Sequence, residues 1–469
     1  MFSTIWIRRS FKSLFCLNRP LIYLDNASLT QRPLFLFNIL KYMDYAICTR
    51  FEQRYRPHAV LTTIFRKSHE YIKTIYSLKN NYACVVYGSI SEAINIIYNS
   101  YWFNGNKVRI LTCVNSNHSL IAPIYGRPNC FSLNVIDLDP DFIPNVRQYL
   151  WTMTNDISLV VLTHMSNVIN MLIPIRLYVF IKRSNTTFVV DGTQVAPHLD
   201  VNIGSINCDV YLISTNKMYT FPSIGLCFVK TKLLNNLNQL ALEYRGIHQL
   251  SLHPFSRILN TTSITYGSCS SSNFGMTSLA EVLKWKRRFN SNHEEHICKY
   301  LWYKLSLIPS VHLMGRWYPG SRTLCFKMKG IPSYEVSKYL NELSINGQSG
   351  YHYSIPLIEY LKIGSVYMVS IGLYNTYKDA DALIYNVIYL WKLNEFCVRS
   401  HINMVTLNRI INISGLQSCF DPEAISNRLM LSRSKHFNRH VNNHVRNVTK
   451  CNFKVSTTCS RSHRTWELT

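Results

Sequence analysis

The sequence predicts an α/β protein built on a mainly parallel sheet, and three observations carry that prediction. Phe188–Val190 and Val210–Ile213 are short, nearly continuous apolar runs of the kind that fill strands buried on both faces of a parallel sheet. Each run ends in polar residues, Asp191 with Gln194 and Ser214 with Asn216 and Lys217, at the carboxyl ends where open α/β sheets take their ligands. Long stretches around them, 34–80 and Met276–Arg287, read as helical.

Composition narrows the class. A chain of 469 residues is long enough for two domains and a sizeable core, and an apolar fraction of 47% excludes a mainly disordered protein. Lys and Arg number 50 against 25 Asp and Glu, a net charge of +25. That excess suits nucleic acid, an anionic surface or an acidic partner. It is spread along the chain without an arginine-rich motif, so basic ends and compositional drift are the preferred reading over nucleic-acid binding. The 14 cysteines are scattered without a CxxC, which predicts reduced, mostly buried thiols. No run reaches the ~18 apolar residues of a membrane span. The nearest, Ile157–Ile181, is broken by His164, Asn167, Asn170 and Arg176 and reads as a strand, a loop and a following element.

Taken in order, residues 1–20 carry Arg8, Arg9, Lys12 and Arg19 with no acid, and Ile5, Ile7, Phe11, Leu14 and Phe15 on one helical face. This is the pattern of an organellar transit peptide, plastid-type or mitochondrial; the alternative is a frayed basic terminus. Residues 21–300 are read as a large domain. Its Asp25-Asn26 pair fits a strand-to-turn junction. Gly88-Ser89-Ile90-Ser91-Glu92 opens a helix near Ala93, where either a bound phosphate or a plain Ser N-cap supported by Glu92 explains the serines. Val108–Val114 reads as a strand ending in Asn115-Ser116-Asn117-His118, and Val160–Thr163 as a strand leading to Asn167. A polar loop, Gly267–Asn273, contains Ser270. Residues 301–394 form a smaller domain, and 395–469 read as a basic, disordered tail. In it His436, His440, His444, Cys451 and Cys459 lack metal-finger spacing, so no metal site is assigned.

Asp191 and Lys217 suggest one cofactor. Pyridoxal 5'-phosphate requires a lysine amine for its Schiff base and a carboxylate to keep its ring nitrogen protonated.

Residue wording supports the same reading. The segment VVDGTQVAPHLDVNIGSINCDVYLISTNKMYTFPSIGLCFVK, with IYLDNASLTQRP at 22–33, LTHMSNVIN at 162–170 and LYNTYKDADAL at 373–383, resembles the class V aminotransferase family. Within it the chain most resembles the cysteine desulfurases of the SUF type and the selenocysteine lyases, over about residues 21–394. The resemblance implies the pyridoxal-phosphate fold type I, with a seven-stranded sheet and a smaller C-terminal α+β domain. It further implies a homodimer, a sulfur-acceptor or iron–sulfur assembly partner, and sulfur mobilisation from cysteine.

By the same resemblance Lys217 forms the Schiff base, Asp191 meets the ring nitrogen, Asn167 reaches the phenolic oxygen, Ser91 and Asn216 lie at the phosphate, and Gln194 and Ser214 also bind the cofactor. Ser270 would reach it from the partner subunit. A histidine that stacks on the ring and moves protons aligns with Asn117, one residue before His118, and a one-residue loop shift gives that role to His118. Two positions depart from the pattern. Tyr353 stands where the desulfurases have their nucleophilic cysteine, and Met368 stands where they have an arginine that clamps the substrate carboxylate. A phenol, with pKa near ~10, cannot carry a persulfide, and losing the arginine removes a charge-assisted grip worth ~1.5–3 kcal/mol. The sequence thus leaves two functions open: a divergent, impaired desulfurase and a non-catalytic scaffold of the same fold.

Overall fold

The computed structural model describes residues 4–15, 20–46, 56–102, 107–238, 247–252, 255–259, 272–289 and 292–399. Ser270 lies outside them, and so does the tail read from sequence as disordered, 395–469, except for 395–399, which are helical. By its contacts the chain divides into Met1–Tyr389 and Leu390–Thr469. Of the second unit only 390–399, the end of helix Tyr377–Arg399, is described.

After a two-residue strand β1 (Ile22–Tyr23) come β2 (Tyr82–Tyr87), β3 (Val108–Cys113), β4 (Phe131–Ile136), β5 (Ile157–Thr163), β6 (Thr187–Asp191), β7 (Val210–Ser214) and β8 (Gly225–Lys230). Strands β2 to β8 make one seven-stranded sheet in the order β2-β8-β7-β6-β5-β3-β4. All pairings are parallel except those of β8, which runs antiparallel to both β2 and β7. The predicted apolar runs therefore sit centrally, in β6 and β7. Their side chains alternate between two cores, as a period of two requires. Phe188, Val190, Tyr211 and Ile213 enter one face and Val189, Val210 and Leu212 the other.

Strand order reverses at β3: the chain moves outward to β4, then returns to β5 on the other side of β3. A crevice at the carboxyl ends of β3, β5, β6 and β7 follows from that reversal. Residues 34–80 are helical as predicted, in Leu34–Ala46 and Arg56–Ile75. The broken run 157–181 resolves into β5, a loop and helix Ile175–Phe180.

Further along, β9 (Ile247–Leu252) and β10 (Phe255–Leu259) form an antiparallel hairpin. A second sheet combines β11 (Val311–Leu313), β12 (Thr323–Met328), β14 (Gln348–Gly350) and β15 (Val366–Ser370) in the antiparallel order β11-β12-β15-β14, and β13 (Ile345–Asn346) pairs with β1.

This last pairing ties the start of the folded region to its C-terminal part. Ile22 pairs with Ile345, and Asp25 bridges to Ser370, so the segment placed at the start of the large domain joins strands of the C-terminal sheet region. Described residues of the preceding stretch, read from sequence as a transit peptide, pack against the fold. Helix Thr4–Arg9 leads into a short 3₁₀ turn, and Ile7, Phe11 and Leu14 are buried with Leu36, Tyr219, Trp285 and Tyr374. Arg8 forms an ion pair with Asp379 at 2.6 Å and donates to the carbonyl of Leu21 at 3.1 Å. The apolar face that suggested a targeting helix is a core-facing stripe.

Candidate cofactor site

Because β6 and β7 are adjacent and parallel, they deliver their terminal residues side by side. Asp191 ends β6 in register with Leu212 of β7. Its Oδ1 accepts from the Thr193 N–H at 3.0 Å, and burial pushes its carboxyl above the usual range against the opposing pull of that bond and of Lys217.

Strand β7 passes at Ser214 into a single 3₁₀ turn, Thr215–Lys217. The turn is secured from behind. The Thr215 N–H donates to Ile224 O at 3.0 Å, Thr215 Oγ1 accepts from the Ile224 N–H at 2.9 Å, and Asn216 O accepts from the Thr30 N–H at 3.2 Å. Thr30 Oγ1 also accepts from the Tyr219 N–H at 2.7 Å. On this fixed backbone the Lys217 side chain is only 9% exposed, yet it makes no hydrogen bond or ion pair with a described residue. Burial pulls its amine down to about 8, while the carboxylates of Asp191 and Asp25 work in the other direction. An amine that gives up its proton near pH 8 reaches its nucleophilic form far more readily than an exposed lysine does.

Asp25, whose segment the family resemblance places near the substrate and whose pairing with Asn26 also fits a turn, belongs to this electrostatic group. Burial raises its carboxyl to about 6, against the Ser28 hydroxyl, which donates to Oδ1 at 2.7 Å, and the charge of Lys217. Two buried amides lack partners among the described residues. Gln194, 7% exposed, has no side-chain partner among the described residues. Asn115, at the end of β3 and 1% exposed, has neither its Oδ1 nor its Nδ2 satisfied. Leaving such an amide unpartnered costs about 1–3 kcal/mol. Nothing in the Asn115-Ser116-Asn117-His118 string distinguished Asn115, because its isolation depends on the surrounding strands.

At the proposed phosphate end, Ser89 and not Ser91 caps the helix. Ser89 Oγ accepts from the Glu92 N–H at 3.1 Å, and Glu92 Oε2 accepts from the Gly88 N–H at 2.8 Å, a reciprocal capping box. Ser91 in the first turn is exposed, and its hydroxyl has no partner among the described residues. First-turn N–H groups also lack acceptors within their helix, so this end retains donors for an anion. Strand β8 passes so close that a Cβ at Gly225 would lie 2.6 Å from the Ser89 carbonyl carbon. Ser214 Oγ donates to Asn216 Oδ1 at 2.8 Å, and Asn216 Nδ2 donates to Ser28 O at 3.3 Å, so these two candidates hold each other.

The residues around Tyr353 form a strap tied to the ends of β3 and β5. The His118 N–H donates to Tyr353 O, and the Ile355 N–H donates to His118 Nε2, both at 2.9 Å. Asn167 Nδ2 donates to His352 O at 2.9 Å, and His352 Nε2 donates to Val366 O at 3.0 Å. His352 and Tyr353 adopt φ of +48° and +57°, the left-handed region that L residues enter at a cost. His118 and Asn167, expected at the cofactor ring, here spend their side chains on this strap. Burial lowers the His118 pKa, and an Nε2 that accepts a hydrogen bond marks a neutral ring. The Tyr353 side chain is 60% exposed.

Met368 is 3% exposed and pairs in register with Cys325 on β12. Cys325 donates its thiol to Asn167 O at 3.6 Å, and burial pushes that thiol above its ordinary range, so it stays protonated. His198, read as structural, lies 3.5 Å from Glu294, whose carboxyl also receives the Tyr219 hydroxyl at 3.1 Å. Burial would raise Glu294, but Lys286, His198 and Arg322 bring it down to about 2. Cys84, Cys113, Cys208, Cys227, Cys298 and Cys325 are buried free thiols, and the free thiol of Cys130 is half-buried.

An α/β sheet that presents a buried lysine and a carboxylate at the carboxyl ends of adjacent parallel strands is the arrangement of a pyridoxal-phosphate protein of fold type I. The sequence matches the aminotransferase class-V family over residues 22–383, and the chain belongs to that family. It is 24% identical to a probable cysteine desulfurase of Xylella fastidiosa over 395 residues, covering 80% of this chain and 92% of that protein. With a cysteine desulfurase of Escherichia coli it shares 23% over 380 residues, 78% and 92% of the two chains. In structure it resembles the cysteine desulfurase CsdA of Escherichia coli, with TM-score 0.73 at 19% identity over 84% of this chain and 99% of the other. A further neighbour, a C-DES variant with glycine covalently linked to its pyridoxal-phosphate cofactor, has TM-score 0.67 at 12% identity, covering 81% and 98%. Among the described residues no helix is long and apolar enough to cross a membrane.

Proposed function

We propose that the chain is a pyridoxal-phosphate protein of the SUF-type cysteine desulfurase lineage that binds its cofactor but is impaired in sulfur transfer. One observation carries the reading: Lys217 is buried without a contact partner, and its amine is drawn down to about 8. The curated relatives named as cysteine desulfurases support the activity class.

The residues present fit the cofactor. Lys217 would hold it covalently, Asp191 would keep the ring nitrogen protonated, and Gln194 offers a free amide. The phosphate would meet Ser91 and the first-turn N–H groups of helix Ile90–Trp102, with Ser270 contributed by the second subunit of a homodimer. When bound, the cofactor supplies an electron sink for bonds at the substrate α-carbon. The chain's part is to keep water from the amine, to fix its direction through Thr30 and Ile224, and to hold protons at Lys217 and Asp25, whose pKa values near 8 and 6 bracket neutrality.

Sulfur transfer lacks its side chain. Tyr353 offers an exposed phenol, Met368 carries no charge, and Cys325 is a buried, protonated thiol. The pinned strap favours a second reading, in which the fold serves as a scaffold for a sulfur-acceptor or iron–sulfur assembly partner. An organellar location remains part of the proposal on the basic N-terminal segment alone. The test is to supply pyridoxal phosphate, record the visible spectrum of wild-type and Lys217→Ala protein, and then assay sulfide and alanine from cysteine. Cofactor absorbance in the wild type alone, with sulfide at background, is the expected result. Persulfide on any cysteine during turnover would remove both the impairment and the scaffold.

A further inference from the structure

Two crossover helices on one face of the main sheet repeat a single pattern. Val146–Thr152 reads Arg147-Gln-Tyr149-Leu150-Trp151, and Ile175–Phe180 reads Arg176-Leu177-Tyr178-Val-Phe180. In each, an arginine lies one turn before an aromatic residue, so the two share a helix face. The tyrosine between them is fully buried in both helices.

Those tyrosines lock the helices together. Their rings meet edge to face at 5.2 Å, and Tyr149 donates its hydroxyl to Tyr178 O at 3.1 Å. Just beyond the helices, Arg183 Nε donates to Met153 O at 3.3 Å, so the two carboxyl ends lie side by side. With the tyrosines facing inward in both, the aromatic residues face outward in both. Trp151 is 90% exposed and Phe180 87%, with Leu150 at 53% and Leu177 at 41%. Phe180 and Arg176 also border an open groove of about 730 Å³ that includes Lys79.

The charge of this face is one-sided. Neither 142–155 nor 174–186 contains an acid, the flanking Asp141 and Asp156 are already paired with Arg316 and Arg109, and the exposed Asp200, two residues before the groove-lining Asn202, leaves Arg147, Arg176 and Lys79 in excess. A second copy would bring two cationic faces together, which like-charge repulsion opposes. A flat bilayer would not fill the groove. Trp and Arg clustered on a rigid surface are the side chains that anchor protein partners. We infer that this face docks an acidic segment of a partner protein, with carboxylates at Arg147, Arg176 and Lys79 and apolar side chains against Trp151 and Phe180.

The test titrates full-length protein with a labelled synthetic peptide of Asp, Glu and Leu containing one Phe, beside the same peptide with Lys in place of every acid. The acidic peptide is expected to bind with an affinity that falls with salt. Trp151→Ser with Phe180→Ser should weaken it by roughly tenfold or more, and so should Arg147→Gln with Arg176→Gln, which leaves the aromatic residues in place. Circular dichroism of each variant establishes that it is folded. Equal binding of the lysine peptide, or unchanged affinity in both variants, would overturn the inference. So would equal or tighter binding to phosphatidylserine vesicles, or a dimer in sedimentation that the Trp151 and Phe180 substitutions dissociate.

Discussion

The imidazole of His118 accepts a hydrogen bond from the backbone N–H of Ile355 at 2.9 Å, tying the end of β3 to the strap that carries Tyr353. Only a neutral ring can accept there. Burial lowers the folded pKa below the ordinary 6.5, so an opened strap takes up the proton more readily than a closed one. The closed state is therefore fully favoured above pH 6.5 and loses ground as the pH falls below it. Amide exchange at residues 350–356 should quicken in acid and in His118→Ala at neutral pH, and His118→Gln, which keeps an acceptor, should restore part of the protection. Exchange unchanged by His118→Ala would show that the strap is held elsewhere.

Lys217 gives a pH dependence of its own in the cofactor-free protein. Its folded pKa of about 8 lies below the ordinary 10.5, so between those values the unfolded chain holds more protons and stability rises with pH. Below pH 8 the full cost of burying a charged amine is present. Lys217→Met should remove that cost, raise the Tm at neutral pH by an amount equivalent to about 2–4 kcal/mol, and flatten the slope between pH 8 and 10.5. A lower Tm in Lys217→Met would mean the ammonium has a stabilising partner.

Phe11 tests whether the N-terminal segment is structural. Its ring is fully buried and lies 4.7 Å from Tyr374, 5.9 Å from Tyr219 and 5.9 Å from Trp285. Phe11→Ala should cost about 3–5 kcal/mol in a denaturant titration. Loss of less than a tenth of that would show that these rings do not hold the segment.

Much of the sheet was legible because β6 and β7 are buried on both faces and closed by Asp191 and Lys217, a pattern that is local in sequence. The role of the N-terminal segment was not. Ile7, Phe11 and Leu14 make the same apolar stripe whether a helix is destined for an import receptor or for a core, and the rings that receive it come from positions 219, 285 and 374. The strap was equally hidden, since Tyr353 and Ile355 engage His118 through backbone atoms that no side-chain pattern encodes. The capping-box serine could be narrowed only to Ser89 or Ser91, because both stand within reach of Glu92 until the helix start is fixed.

Gly225 links the sheet to the proposed phosphate end. A methyl group there would press on the Ser89 carbonyl, at 2.6 Å from its carbon and 2.8 Å from its oxygen. Gly225→Ala should cost about 1–3 kcal/mol and weaken retention of pyridoxal phosphate more than that of unphosphorylated pyridoxal. Equal weakening of the two would separate this loop from the phosphate.

The account rests on the amine of Lys217. Protein supplied with pyridoxal phosphate, reduced with borohydride, digested and mapped by mass spectrometry should carry the pyridoxyl adduct on Lys217. An adduct on other lysines only, or none after saturation with the cofactor, would contradict it.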